Sequence, residues 1–378
     1  MKKSYLAVAA ILGAGIFAGQ AQAAKIDLGE GKSLNFGFRG KIHATYLGSI
    51  GDPDKADLIL GVPDTRLYAK GNISKVFKWG WQAEFTNNAG DNFEIIDAYV
   101  LLDFAKEFKL MAGLYKLPFQ LNSGIYMGWS LLMPVGLGKS RPDAAGTPVL
   151  AANPFTNPAV ERAPRSGSRS PQVTAWGKVA DGLFKYYLTV VDMRDETSVN
   201  NAKTGYGLRV EFAPVMAGYK GHPGYVLRET YLGKQNTLAL GIAYFTQKTG
   251  TANNKSLGVD LMWEQNLGTV TPNLQIGYVD HKDFRGNPDD DRKGLLVQGQ
   301  VLFNQKTMLG KPAITFRWAQ SDPKTANGGY KATTMGLAGQ LYVKGVGNRI
   351  SLSIDQIKNE APNTKDVTDV TLAFWYFF

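Results

Sequence analysis

No cysteine occurs in the 378 residues, so disulfide-stapled scaffolds and thiolate metal or redox chemistry are unavailable to this chain. Histidine is nearly absent too. His43, His222 and His281 stand far apart and form no His-x-x-x-His pair, which argues against a zinc centre; no metal and no cofactor is expected. Long apolar runs are missing beyond the first residues, and no later stretch approaches the roughly 18 apolar residues of a membrane-spanning helix. What is abundant instead is 43 glycines, 17 tyrosines, 19 phenylalanines and 7 tryptophans, the usage of one large β architecture rather than of several helical domains.

Lys2 and Lys3 precede an uncharged, largely apolar run from Tyr5 to Ala18, and Ala21-Gln22-Ala23 follows it. This is the three-part pattern of a secretory signal peptide, with cleavage expected after Ala23. Residues 24–378 are then the mature domain, with 40 basic and 32 acidic side chains and a charge of +8, because Lys2 and Lys3 are the only charged residues removed.

From Leu34 onward the hydrophobic period is two. Leu34, Phe36, Phe38, Ile42, Ala44 and Tyr46 alternate with Asn35, Gly37, Arg39, Lys41, His43 and Thr45, which a strand places on opposite faces. The same pattern runs to the end, where Val370, Leu372, Phe374, Tyr376 and Phe378 share one side. We read sixteen such segments, at 34–47, 64–74, 77–86, 93–103, 108–117, 171–178, 182–192, 203–213, 237–247, 256–266, 269–280, 294–304, 312–320, 332–344, 348–358 and 367–378. Ordinary strands average about 5 to 6 residues, whereas a tilted strand crossing a bilayer needs about 9 to 11, and most of these segments have the longer length. Connections at 103–107, 179–182, 266–268 and 345–347 are tight; those at 48–63, 118–170, 278–293 and 321–331 are longer and rich in Asp, Asn, Gly and Pro. The expected fold is all-β: a 16-stranded antiparallel transmembrane β-barrel, with periplasmic turns on one rim and extracellular loops on the other. Residues 214–236 break the rule, being long on the short-turn side, and 225–231 within them could form an extra strand.

In such a barrel the apolar stripe meets lipid and the polar stripe surrounds water. Trp79, Trp81, Trp318, Trp375, Tyr376, Phe377 and Phe378 are expected in interfacial girdles. The stronger apolar stripe puts Arg39, Lys41, Arg66, Lys70, Lys185, Arg209, Arg317 and Arg349 on the inward side, together with Glu84, Asp97, Glu211, Asp260, Glu264, Asp355 and Asp369. A wall of such mixed sign sets up a transverse field without choosing cations or anions. The third extracellular loop, about 118–170, is too long for a passive connector and is expected to enter and narrow the bore. It carries Lys139, Arg141, Arg162, Arg165 and Arg169 against Asp143 and Glu161, a basic constriction that favours oxyanions because arginine offers them a planar fork. Solvated arginines, or arginines on lipopolysaccharide phosphates, are the plainer reading of the same residues.

Asp97-Ala98-Tyr99-Val100 followed by Leu110-Met111-Ala112-Gly113-Leu114-Tyr115-Lys116-Leu117-Pro118-Phe119 resembles the strand pair and Pro-Phe of the phosphate-selective porin O and P family. Thr230-Tyr231-Leu232-Gly233-Lys234 before Leu238-Ala239-Leu240-Gly241 is similar to a second stretch of that family, and Trp375-Tyr376-Phe377-Phe378 resembles the aromatic ending by which outer-membrane proteins are recognised for insertion. The resemblance implies a sixteen-stranded, trimeric porin of the outer membrane of a Gram-negative-type (diderm) bacterium, with the third loop as constriction and 225–231 in a periplasmic connection. Phosphate selectivity transfers poorly, since phosphate-specific members line the pore with a dense arginine ladder and lysine cluster, whereas carboxylates here nearly match the cations.

The function expected is passive diffusion of small hydrophilic solutes, with a modest preference for anions such as phosphate. Outer-membrane lipid and lipopolysaccharide are the expected partners, and nucleic acid is not. Two other classes fit the sequence less well. A secreted soluble carbohydrate-binding β-protein would explain the aromatics but not the strand lengths or the aromatic terminus. An outer-membrane hydrolase needs a Ser-His pair with an orienting third group, and no serine lies near His281 in sequence. Gly136-Leu137-Gly138-Lys139-Ser140 has the tail of a P-loop but Met133 where the first glycine belongs. Asp52, Asp54 and Asp57, and likewise Asp289, Asp290 and Asp291, lack the Gly and terminal Glu of an EF-hand loop.

Overall fold

The computed structural model describes residues 24–47, 57–86, 92–123, 154–159, 169–191, 202–324, 330–360 and 366–377. The signal segment, Lys139, Arg141, Arg162, Arg165 and most of the third loop lie outside these residues. Among the described residues seventeen strands run in chain order. They are β1 (Ala24–Gly29), β2 (Lys32–Leu47), β3 (Asp57–Asn72), β4 (Phe77–Thr86), β5 (Asn92–Asp103), β6 (Lys109–Lys116), β7 (Arg169–Val179), β8 (Phe184–Val191), β9 (Ala202–Phe212), β10 (Thr237–Thr249), β11 (Ala252–Glu264), β12 (Val270–Lys282), β13 (Asp291–Phe303), β14 (Lys311–Lys324), β15 (Ala332–Lys344), β16 (Asn348–Asn359) and β17 (Val367–Phe377).

Each of β2 to β17 pairs antiparallel with its sequence neighbours, and β17 returns to β2 with Phe377 opposite Arg39 and Val370 opposite Tyr46. Closure leaves a sixteen-stranded barrel without a free edge at hydrocarbon depth, where an unpaired backbone group would cost several kcal/mol. β1 adds nothing to closure. It folds back on the start of β2, Ala24 opposite Phe36, and extends the sheet at the rim where the chain ends meet. It was not legible as a strand because the alternation becomes clear only at Leu34.

Side chains sort by parity. Leu58, Leu60, Ile242, Tyr244, Ile314, Phe316, Leu337, Leu352 and Ile354 are exposed large apolar residues, while Thr45, Asn254, Gln275, Thr315, Ser351 and Thr371 are buried. That distribution inverts a soluble sandwich and fits a wall whose solvent is lipid. Trp79 and Trp81 lie on the outward parity of β4, but Trp375 is buried on the inward parity of β17 with Ala373, so its expected place in an outer girdle is corrected. Trp318 stands mid-strand, because β14 continues to Lys324 beyond the expected end at 320.

Strand β3 begins at Asp57, seven residues ahead of the sequence reading, which stopped the loop at Pro63. The register slips between Lys41 and His43, whose partners are Asp64 and Gly61. The resulting bulge takes up Pro63, which has no N–H to give the ladder. On the same rim, away from the chain ends, β10 and β11 are joined by a two-residue turn, Thr249 pairing Ala252 across Gly250 at φ +53°.

Candidate channel lumen

Residues 213–236, between β9 and β10, leave the chain-end rim and turn up into the barrel. No strand forms at 225–231; the backbone there is irregular, and a membrane barrel tolerates irregular backbone only where protein or water satisfies its polar groups. Inward side chains of the wall do so. Glu211 accepts from the His222 N–H at 2.9 Å, and Lys185 donates to the carbonyls of His222 and Gly224 at 3.1 and 2.5 Å. Tyr187 donates to the Tyr225 carbonyl at 2.9 Å. Asn273 donates to the Glu229 carbonyl at 2.9 Å, and Glu264 accepts from the N–H groups of Tyr231 and Gly233. Tyr225, Leu227 and Tyr231 pack with Leu121, Met111, Trp176, Tyr187 and Met262 into a dry cluster. This part of the lumen is therefore not a water column, which corrects the expectation that the inward stripe is wet throughout.

The start of the third loop reaches the same place from the other side. Arg209 binds both carboxylate oxygens of Asp260, at 2.6 and 2.8 Å, and donates to the Phe119 carbonyl at 2.8 Å. The same carboxylate accepts from the Leu121 N–H at 3.0 Å. Asn122 meets the lumen segment directly, donating to Glu229 at 2.8 Å. Phe119 packs with Val191, Ala243, Phe245 and Val279. Four inward glycines on β10 to β13 make room for these contacts. A Cβ on Gly241 would lie 2.2 Å from Arg209, on Gly258 2.9 Å from Gln120, on Gly277 2.4 Å from Gln120 and on Gly294 2.6 Å from Pro154.

Residues 154–159 anchor the loop's later part. Asn254 donates to the Pro158 carbonyl at 2.7 Å, and Arg285 donates to the Asn157 carbonyl at 3.0 Å. Nε2 of His281 donates to the Pro154 carbonyl at 2.8 Å, leaving Nδ1 to accept from Ser256 at 2.8 Å. The register thus supplies the Ser-His pair that sequence distance hid, Ser256 facing His281. Both residues are fully buried, and the far nitrogen is held by a carbonyl rather than a carboxylate, so the pair fastens the loop and resembles no nucleophilic centre.

The remaining predicted residues divide by role. Arg66 pairs with Glu84 at 3.0 Å, Arg169 with Asp97 at 3.0 Å, and Arg317 with Asp355 at 2.7 Å across the intervening Gly336. Arg169 is the first residue of β7 rather than part of the loop. Arg39 lies opposite Arg66 in the β2–β3 register, and Lys70 follows Arg66 on the same parity, exposed near the chain-end rim. Lys185 and Arg209 are covered by the segments they hold and do not face water. Tyr342, Arg349, Trp375 and Lys41 form one inward row across β15, β16, β17 and β2. In it the Trp375 ring carries the Arg349 guanidinium at 4.2 Å and the Lys41 ammonium at 5.2 Å. Among the described residues no group of three metal-ligating side chains comes together.

His222 stands outside the strands, between β9 and β10. It is fully buried, Nδ1 sits 2.7 Å from the Tyr231 hydroxyl, and burial, opposed by the Glu211 carboxylate, lowers its pKa to about 4. It is neutral at neutral pH.

A barrel of this layout has known counterparts. The anion-selective porin from Comamonas acidovorans superimposes with a TM-score of 0.58 at 13% identity over 92% of this chain and 100% of that one. OmpF of Salmonella typhi, solved with daunomycin, gives 0.56 at 11% identity over 93% and 100%. The outer membrane channel DcaP of Acinetobacter baumannii gives 0.53 at 13% identity over 93% and 100%. At these identities the likeness concerns the fold. A curated uncharacterized protein of Aquifex aeolicus (strain VF5) is 24% identical over 237 residues, 55% of this chain and 54% of its own length, so the chain spans about half of that relative. The family model for phosphate-selective porin O and P matches residues 36–256, more than half of the sequence; the chain belongs to that family, and its barrel resides in the Gram-negative outer membrane.

Proposed function

We propose that this protein is a passive channel for small hydrophilic solutes with a modest preference for anions. The carrying observation is the closed barrel with apolar side chains outward and hydrogen-bonding side chains inward. The segment 213–236 and the docked ends of the third loop fill the side of β6 to β13 and reach β14 and β15, where Leu232 packs with Ala313 and Tyr342, which leaves the arc of β16, β17 and β2 to β5 as the wall along which solute passes. Arg39, Lys41 and Arg66 belong to that arc with Arg317 at its edge, whereas Arg349 is fully buried. Four cations, Arg66, Arg169, Arg209 and Arg317, have carboxylate partners on the wall, so their field is largely cancelled and the preference is weak. Lys139, Arg141, Arg162 and Arg165 in the loop would add to it, with oxyanions such as phosphate as the favoured class. Contacts of residues 119–122 and 154–159 with the inner wall support the loop as a constriction. Porins of this build assemble as trimers on the family resemblance, and we extend that to this chain, together with cleavage after Ala23.

The test is the zero-current potential of the purified mature protein in planar lipid under a salt gradient. An anion-selective sign is expected, and a cation-selective sign sinks the preference. Absence of conductance from correctly folded protein sinks the channel itself. Crosslinking in detergent reads the trimer, and amino-terminal sequencing reads the cleavage site.

A further inference from the structure

Every turn of the chain-end rim is described, and exposed lysines recur around it: Lys32 at the start of β2, Lys75 between β3 and β4, Lys106 between β5 and β6, Lys220 and Lys234 between β9 and β10, Lys306 between β13 and β14, and Lys344 at the end of β15. The exposed acids of that rim are few and mostly taken. Glu30 pairs with Lys32, and Glu107 and Asp181 with Lys106. Lys75, Lys220, Lys234, Lys306 and Lys344 form no salt bridge among the described residues. The opposite rim pairs Lys282 with Asp291, Arg292 with Asp290 and Lys293 with Asp280, and also presents exposed Lys203, Lys248, Lys255, Lys324 and Lys358, so what sets the chain-end rim apart is the apolar company its lysines keep.

Apolar side chains stand at the turn tips of this rim, beside lysines in the β3–β4, β5–β6, β9–β10 and β13–β14 connections. Ile73 and Val76, Phe104 and Phe108, Val179 and Phe184, Leu267, and Leu309 are exposed, as are Met216 at 75% and Met308 at 93%. A turn facing only water gains nothing from a methionine or a stacked phenylalanine pair at its tip. The ring encircles the barrel and continues the lipid-facing wall, which a single protein partner seated on one sector would not require. Basic residues next to apolar ones are the composition of a surface that lies in a headgroup layer, apolar groups sunk towards the acyl boundary and ammonium groups snorkelling back to phosphate.

We propose that the chain-end rim is a docking collar for anionic phospholipid, its unpaired lysines meeting headgroup phosphates while the turn-tip apolar residues enter the membrane beneath them. The inference rests on the outer-membrane location but not on conduction. The experiment reconstitutes the mature protein in phosphatidylcholine vesicles containing brominated phosphatidylglycerol or brominated phosphatidylcholine and compares quenching of the native tryptophans, of which Trp79 and Trp81 lie outward near this rim. Several-fold preferential association of phosphatidylglycerol is expected at low salt, falling as salt screens the lysines. In the variant Lys75→Gln, Lys220→Gln, Lys234→Gln, Lys306→Gln, Lys344→Gln the ratio should approach one, and in the milder Lys75→Gln, Lys306→Gln pair it should fall part of the way. Replacing Lys248, Lys255 and Lys324 of the opposite rim by Gln should leave it unchanged. An unselective parent protein, a five-site variant that keeps its preference, or loss of preference in the opposite-rim variant overturns the collar. Conductance measured in parallel separates this outcome from failure of the channel reading.

Discussion

Arg209 holds two things together, and its removal should show both. The side chain is fully buried, crosses the Cα of Gly241 and binds Asp260 through two hydrogen bonds of 2.6 and 2.8 Å while also donating to the Phe119 carbonyl. In Arg209→Met the stem volume is kept but Asp260 is left as a buried carboxylate whose neutralising partner has gone. Breaking one side of a buried ion pair costs about 3–5 kcal/mol, and the Phe119 carbonyl loses a charged donor. Guanidinium unfolding of the vesicle-inserted barrel, read by its heat-modifiable gel migration, should therefore show a loss of about that size. The double change Arg209→Met, Asp260→Leu should recover most of it, because no orphaned charge remains. The same single variant should show noisier, larger conductance as residues 119–122 come loose. A loss below about 1 kcal/mol, or a double variant no better than the single one, would refute the pairing as the fastener.

Three further outcomes follow from the same contacts. Because His222 is held neutral with a pKa of about 4, below the ordinary value near 6.5, the unfolded chain takes up a proton between these values that the folded chain refuses. The stabilisation is complete above about pH 6.5 and is lost as pH falls towards 4, on the order of 3 kcal/mol; His222→Gln should flatten the difference between pH 7 and pH 4.5 unfolding curves. Glu229→Leu removes the acceptor shared by Asn122 and Gln298, at about 1–3 kcal/mol for each stranded donor, and should raise single-channel conductance by uncoupling the lumen segment from the loop. Gly258→Leu should do the same without touching a charge, since its Cβ already meets Gln120 and Phe119; unchanged conductance would mean that the docked loop does not limit flow.

Strand positions were legible because alternation and length are local properties: 77–86 and 332–344 agree with β4 and β15 to the residue. Where the reading stopped short, a local rule met a tertiary accommodation. Pro63 ends a strand by propensity, yet a bulge opposite Ile42 absorbs it. Chain order puts residues 214–236 on the periplasmic, short-turn side, and order alone does not say whether a connection turns inward. A signal was available. Gly241, Gly258, Gly277 and Gly294 leave gaps on inward positions of four successive strands, and His222, Tyr225, Leu227 and Tyr231 are too apolar for a solvated turn. The ion pairs were less accessible to reading. Arg209 and Asp260 are fifty-one residues apart, and only the register across β10 brings them together.

That register also bears on how the charge total should be used. A mature excess of basic residues suggests an anion channel only if the excess faces the bore. Here much of the wall's basic charge is answered by carboxylates within 3 Å: Glu84, Asp97, Asp260 and Asp355. Lys185 is spent on backbone carbonyls, and five unpaired lysines stand on the rim in reach of screening water. An exposed charge more than a Debye length of roughly 8–10 Å from the solute path contributes little at physiological salt. On the channel reading proposed above, selectivity rests on the few cations that line the solute path, and net charge of the whole chain is a poor guide to it.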